Sequence, residues 1–483
     1  MILDAIVEAK RRELESARAE LTRPPAAGLP SRPRLSLERA LRRRAREGRI
    51  GLIAECKRRS PSAGAIAPIP EPARLARAYV EGGAAAISVL TDRSFFGGDA
   101  ADLEAVREAV AVPVLRKDFL IDPSQVAESA ALGADAVLLI ARLFPSPEKL
   151  GGMLEEAERA GLEALVEAHD EEEAFRAASL GARLIGVNNR DLDTFQVELG
   201  RAEQVARRLR AEGGRGRPDL LLVAESGYRR PEELLPAVRT GVDAVLVGEA
   251  LVRAGDPAAL AAAFSGLARP AAGGATVGVR VKICGLDSLE ATRAAVAAGA
   301  QAVGWILLPG RRRSVDAADA ARWAREVPPE VLRVGVFARQ APEQVAQAAR
   351  RCRLDAVQLH GGEDAEYVRR LRRLLPDVEL IRAVASPGEA RGEADHWLLD
   401  PGEGGSGREV PEEAALAFRA RGEDWWLAGG LTPENVAERL ERYRPAGVDV
   451  SSGVERSGRK DPGRIRAFVD AVRRWERART GGA

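Results

Sequence analysis

The residues of this chain best suited to moving protons stand at the ends of short apolar runs. GLIAECK, from Gly51, carries Glu55 and Lys57 two positions apart, hence on one face of an extended chain. A carboxylate beside an ammonium supplies a proton acceptor and a proton source or fixed cation, although an internal salt bridge accounts equally well for this pair alone. Later runs end in Lys117-Asp118, Glu167, Asn188-Asn189-Arg190 and Glu225-Ser226-Gly227. One polar strand end usually means a cap or a surface pair. Two lysines, several carboxylates and an amide brought to one place are unfavourable unless they bind something. In the second half, Cys284 closes VRVKIC and Asp400 closes HWLLD. A lone cysteine is more often a small buried hydrophobe, but at a strand end it can act as a base if its pKa is lowered.

A second class of signal is the Gly- and Ser-containing turn. ESGY (225–228) and VGEA (247–250) follow the last two apolar runs of the first half. PGEGGSGREV (401–410), AGGLTPENV (428–436) and GVDVSSGVE (447–455) stand at the last three of the second. Backbone N–H groups at such turns hold phosphate. Each turn alone is weak evidence, and its placement strengthens it.

These residues must be positioned by a repeating scaffold. Eight strand-like runs precede residue 250, starting at Gly51, Ala85, Pro113, Asp135, Glu163, Leu184, Leu221 and Asp243. Helix-period segments such as Glu71 to Gly82, Asp122 to Leu132 and Pro231 to Thr240 separate them. Eight more runs begin at Val279, Ala302, Val331, Asp355, Val378, His396, Trp425 and Gly447. A doubly wound sheet would use fewer such units, so the expected fold is α/β, two (β/α)8 TIM barrels in tandem. Residues 1–48 read as an N-terminal helical extension of the first barrel. The expected domains are 1–265 and 279–483, joined by an Ala/Gly/Pro-rich linker at 266–278. In such barrels catalytic groups sit at the C-terminal ends of strands, where these residues fall.

Composition narrows the function classes. At 483 residues the chain is too long for one ordinary core. Its 73 Lys and Arg nearly cancel 72 Asp and Glu, which argues against nucleic acid or an anionic membrane as partner. Cys56, Cys284 and Cys352 form no CxxC pair, and with His169, His360 and His396 they make no metal cluster, so no metal or other cofactor is expected. The opening MILDAIVEAKRRELESARAE lacks a signal-peptide core and no apolar run reaches membrane length, so a cytoplasmic location is expected. No obligate protein partner is indicated.

AECKRRSPSAG (54–64), SVLTD with FFGG (88–98), VLRKDFLID (114–122), LVEAHD (165–170), GVNNRDL (186–192), VAESG (223–227) and LVGEAL (246–251) together resemble indole-3-glycerol-phosphate synthase over roughly 1–265. That resemblance implies Lys117 as the general acid for ring closure. Lys57 would hold the substrate carboxylate and assist later protonation, while Glu55 and Glu167 move protons. Asn188, Arg190, Glu225 and Ser226 would position substrate, and Ser60, Gly227, Gly248 and Glu249 would lie at its phosphate. Phe96 and Phe119 would pack on the anthranilate ring or serve as core. Cys56, between two inward-pointing residues, is expected to face the barrel wall and be inert.

VKICGLDS (281–288), QLHG (358–361), the two later Gly/Ser turns and Arg459-Lys460-Asp461 resemble phosphoribosylanthranilate isomerase over roughly 278–480. The resemblance implies Cys284 as general base and Asp400 as general acid of an Amadori rearrangement. It places Arg313 at the anthranilate carboxylate, and Gly405, Ser406, Gly430, Ser452 and Gly453 at phosphate. LPGRRRSV (308–315) departs from the family's Ser-Pro-Arg run, which leaves Arg312 as the alternative. The reading is a bifunctional tryptophan-biosynthesis enzyme acting on small phosphorylated anthranilate-sugar substrates. The alternatives are a monofunctional synthase with a non-catalytic binding or scaffolding second barrel, and, more distantly, barrels for other sugar phosphates.

Overall fold

Near-continuous apolar runs require both faces of each strand to be covered, and closing a parallel sheet inside a ring of helices meets that requirement. The computed structural model describes residues 2–20, 33–191, 194–212, 219–269, 278–402, 408–421 and 424–480. The chain divides into two compact units, Met1–Pro270 and Ala271–Ala483. Each holds one closed barrel of eight parallel strands.

The first barrel is built from β1 (Gly51–Cys56), β2 (Ala86–Leu90), β3 (Val114–Lys117), β4 (Ala136–Ile140), β5 (Glu163–Ala168), β6 (Leu184–Asn188), β7 (Leu221–Glu225) and β8 (Ala244–Val247). β8 closes on β1 with Gly51 opposite Ala244. In β1, Leu52, Ala54 and Cys56 face the surrounding helices, while Ile53 joins an inner layer with Leu115, Leu165 and Val223. Glu55 therefore faces inward, and the buried Cys56 thiol, in the outer layer, is pushed up to about 12 by loss of hydration.

Residues 1–48 supply two helices, α1 (Ile2–Glu20) and α2 (Leu37–Arg46), with 21–32 outside the described residues. α2 is capped by Ser36, whose Oγ accepts from Arg39 N and donates to Glu163 Oε1 at the start of β5. Leu37 and Leu41 thereby enter the inner layer at the N-terminal end of the barrel. α1 lies at the opposite end, where Lys10 Nζ stands 3.1 Å from Asp92 and 3.0 Å from Asp118.

Two local readings change. The segment read as one helix from Pro231 to Thr240 is a 3-10 turn, Pro231–Leu234, followed by a short α-helix, Leu235–Arg239; Pro236 has no N–H for a continuous helical ladder. Gly266–Arg269, assigned by composition to the linker, run along the first barrel instead. Ile50 N donates to Leu267 O and Arg269 N to Gly48 O, bonds that residue composition does not reveal. The rest of the expected linker, 270–277, lies outside the described residues.

The second barrel comprises β9 (Arg280–Cys284), β10 (Ala302–Ile306), β11 (Leu332–Phe337), β12 (Ala356–Leu359), β13 (Glu379–Val384), β14 (His396–Leu399), β15 (Trp425–Leu427) and β16 (Gly447–Val450). β16 closes on β9, with Arg280 opposite Gly447. Val281 and Ile283 pack outward, so Lys282 and Cys284 point inward by the same alternation.

Candidate active sites

At the C-terminal end of the first barrel a cavity of about 850 Å³ is lined by Glu55, Lys57, Ser60, Phe96, Lys117, Phe119, Glu167, Asn188, Arg190, Ser226, Gly227, Gly248 and Glu249. Side chains from β1, β3, β5 and β6 meet at its floor. Lys57 Nζ stands 2.6 Å from Glu55 Oε2. Lys117 Nζ approaches Glu225 (2.7 Å), Glu167 (3.4 Å) and Glu55 (3.9 Å). Asn188 Nδ2 donates to Glu167 Oε1 at 3.0 Å, and Arg190 N donates to Asn188 Oδ1.

Burial disfavours charge on Lys117, but Glu225, Glu167 and Glu55 outweigh it and hold the ammonium above its ordinary range. Burial likewise works against ionised Glu167, yet Lys117, His169 and Asn188 keep that carboxyl below the usual value. Glu225 goes the other way. Burial, opposed by Lys117 and reinforced by Glu167 and Glu55, pushes it up to about 7. The site thus contains a fixed cation, an ionised base and a carboxyl that titrates near neutrality. Glu225 is fully buried beneath Lys117 rather than on the cavity surface, so its contact is with the lysine.

Around the rim, Ser226 and Gly227 both adopt left-handed backbone (φ 66° and 94°), turning the chain sharply where β7 ends. The Ser60 hydroxyl accepts from Ala63 N and sits near the Ser62 hydroxyl. Phe96 and Phe119 face each other with ring centroids 5.9 Å apart. Phe119 lines the cavity and also belongs to the inner core layer.

In the second barrel a cavity of about 570 Å³ is lined by Cys284, Arg312, Arg313, His360, Asp400, Gly430, Ser452 and Gly453, among others. Gly405 and Ser406 lie outside the described residues. Asp400 is held by Gly402 N (3.3 Å) and stands 3.8 Å from His360 Nε2. Burial raises the Asp400 carboxyl against the pull of His360, which suits a group that must carry a proton. The thiol departs from the lowered pKa that a resting base would have. Burial raises Cys284, and Lys282 only partly opposes it, which favours the protonated thiol.

Arg313 and Arg312 both meet Glu455, at 2.5 and 3.0 Å. They differ in exposure: the Arg312 side chain is 58% exposed and Arg313 8%. Arg313 Nη2 is buried with no hydrogen-bond partner among the described residues, and the Arg313 stem packs over Gly285, beside Cys284. Both arginines line the cavity, and Arg313 is the more buried of the two.

The N-terminal unit matches the family model described as indole-3-glycerol phosphate synthase over residues 3–264. The chain belongs to the indole-3-glycerol phosphate synthase family. Behind that synthase domain, residues 281–471 match the model for N-(5'phosphoribosyl)anthranilate (PRA) isomerase, so the two domains stand in tandem. A multifunctional tryptophan biosynthesis protein of Schizosaccharomyces pombe is 36% identical over 470 residues, covering 89% of this chain and 60% of that protein. The chain thus spans about 60% of the length of that multifunctional relative. The indole-3-glycerol phosphate synthase of Mycobacterium ulcerans is 45% identical over 263 residues, which is 54% of this chain and 92% of that enzyme. A solved phosphoribosyl anthranilate isomerase from Thermus thermophilus is 38% identical, covering 41% of this chain and 99% of that one, with a TM-score of 0.38.

Several groups at the two domains' sites were not singled out from sequence. Lys10 comes from α1, far from any strand end. His169 stands behind Glu167 in the synthase domain, 3.4 Å away. His360 lies inside the QLHG motif but carries no assignment there. Lys282 was legible, because it precedes Cys284 by two residues as Glu55 precedes Lys57.

Proposed function

We propose that the chain catalyses two consecutive steps of tryptophan biosynthesis on phosphorylated anthranilate sugars. In the isomerase domain Asp400 protonates the ribose ring oxygen of phosphoribosylanthranilate, opening the ring. Cys284 removes the proton from the adjacent sugar carbon, and the resulting enol relaxes to the carboxyphenylamino-deoxyribulose phosphate. Arg313 holds the anthranilate carboxylate, and Gly430, Ser452 and Gly453 surround the phosphate.

In the synthase domain Lys117 gives its proton to the ketone oxygen as the aromatic carbon attacks the ketone carbon and closes the ring. Lys57 holds the substrate carboxylate until carbon dioxide leaves and the ring regains aromaticity. Glu167 and Glu55 then move the protons that accompany loss of water, giving indole-3-glycerol phosphate. Asn188, Arg190 and Ser226 position the substrate, and Ser60, Gly227, Gly248 and Glu249 surround its phosphate. Both reactions are expected in the cytoplasm.

The observation that carries this reading is that each cavity has its own proton donor and acceptor: Lys117 with Glu167 in one, Asp400 with Cys284 in the other. A second barrel retained only for binding would have no need of both Cys284 and Asp400 lining its cavity. Assaying the two half-reactions separately on the intact chain tests the proposal. Turnover of the open-chain compound without isomerisation of its precursor would reduce the second barrel to a binding module.

A further inference from the structure

The inner face of β9 carries a second polar group below Cys284. Lys282 is fully buried, and its Nζ donates to Asp449 Oδ2, from β16, at 2.8 Å. Gly304 on β10 leaves the space that ammonium and thiol share. A Cβ at that position would lie 3.2 Å from both Lys282 Nζ and Cys284 Sγ. The two side chains are thus neighbours across one missing side chain. Burying an ion pair carries a desolvation penalty of the same order as what pairing returns. The layer beneath is apolar, with Val334, Ile381 and Trp426, so closing the barrel does not call for a charge here.

We propose that Lys282 is a positioning residue for Cys284: its ammonium, steered by Asp449, stabilises the thiolate formed when Cys284 acts as a base. This deepens the function proposed above and rests on it. The groups facing the thiol come from several elements. Lys282 shares its strand, Asp449 on β16 opposes the thiolate, and Lys460 on the short strand Arg459–Lys460 favours it. Asp400 after β14 senses both Asp449 and Lys282, and Arg313 lies over Gly285. Against the burial that raises the thiol, Lys282 is the leading opposing influence. It does not line the cavity, so it acts through Cys284 and not on substrate.

The test is the pH dependence of Cys284 alkylation by iodoacetamide in the full chain, with the adduct located by peptide mass, for the wild type, Lys282→Met and Asp449→Asn. In Lys282→Met the midpoint should rise by about one unit or more, which is about tenfold less thiolate at a given pH below it. In Asp449→Asn it should fall. Isomerase kcat/KM of Lys282→Met should drop at neutral pH and recover towards wild type as the pH is raised, whereas a packing defect would lower it at every pH. An unmoved midpoint in Lys282→Met overturns the proposal. If that variant does not fold, Lys282→Gln takes its place: a raised midpoint supports the proposal, and an unchanged or lower one overturns it. Full isomerase activity in Cys284→Ala would instead overturn the base assignment, while the alkylation midpoints still judge the coupling.

Discussion

Lys117 Nζ donates to Glu225 Oε2 at 2.7 Å, closer than to either of its other carboxylate partners. Lys57 and Lys117 face Glu55, Glu167 and Glu225, an excess of carboxylates that leaves one of them a poor anion. Burial selects Glu225, pushed up to about 7. The pH profile of indole formation should therefore carry an inflection near 7 that Glu225→Gln removes. The same change weakens a charged hydrogen bond to Lys117, so kcat should fall about 10- to 100-fold. An inflection that survives in the variant would assign it to another group.

Gly186 makes room for that carboxylate. A Cβ on Gly186 would lie 1.9 Å from Glu225 Oε1. Gly186→Ala should displace Glu225, and with it Lys117, at a packing cost of about 1–3 kcal/mol. Indole formation should fall sharply while isomerase activity in the same sample stays intact. Equal loss of both would point to general misfolding.

Replacing one proton-transfer group at a time should halt the sequence at different compounds. Lys117→Ala should accumulate the open-chain intermediate. Cys284→Ala or Asp400→Asn should prevent its formation yet still convert a supplied sample to indole-3-glycerol phosphate. Each loss should cost about 10²–10⁴-fold, easily read by chromatography of the products.

Asp400 and Cys284 are both raised, and the reaction needs the acid protonated and the thiol ionised. Isomerase kcat/KM should follow a bell whose lower limb belongs to Asp400. His360 pulls the Asp400 carboxyl down, so His360→Asn should move that limb to higher pH. A lower limb that moves down, or not at all, would detach His360 from the acid.

At the opposite end of the second barrel, His396 sits between Glu379 (3.4 Å) and Asp424 (3.5 Å). Burial lowers its pKa, but Asp424 and Glu379 outweigh it and raise it to about 9 from 6.5. A histidine raised on folding contributes stability that is full below pH 6.5 and lost as the pH climbs through 9. With Asp424 half exposed, the contribution is about 2 kcal/mol at most. Denaturant unfolding of the wild type should show this loss between pH 6.5 and 9, and His396→Leu should flatten it.

Periodicity alone determined which residues of this chain point inward. Glu55, Lys117, Glu167, Cys284 and Asp400 all sit at strand ends whose alternation is visible in the sequence, because a strand's side-chain period is a local property of the backbone. Eight units per half, with Gly/Ser turns after the last strands, likewise bounded the fold. What tertiary structure decided is the company these groups keep. Lys10 reaches Asp92 and Asp118 from α1 only because the helix crosses the mouth. Glu225, in a strand-end motif that reads as substrate contact, lies below Lys117 once the barrel closes. Cys284 is raised rather than lowered, because burial and the net effect of Lys282, Asp449 and Lys460 depend on residues up to 176 positions away in sequence. Solvation and Coulomb forces act through space, so closure of the barrel and not the order of residues sets them.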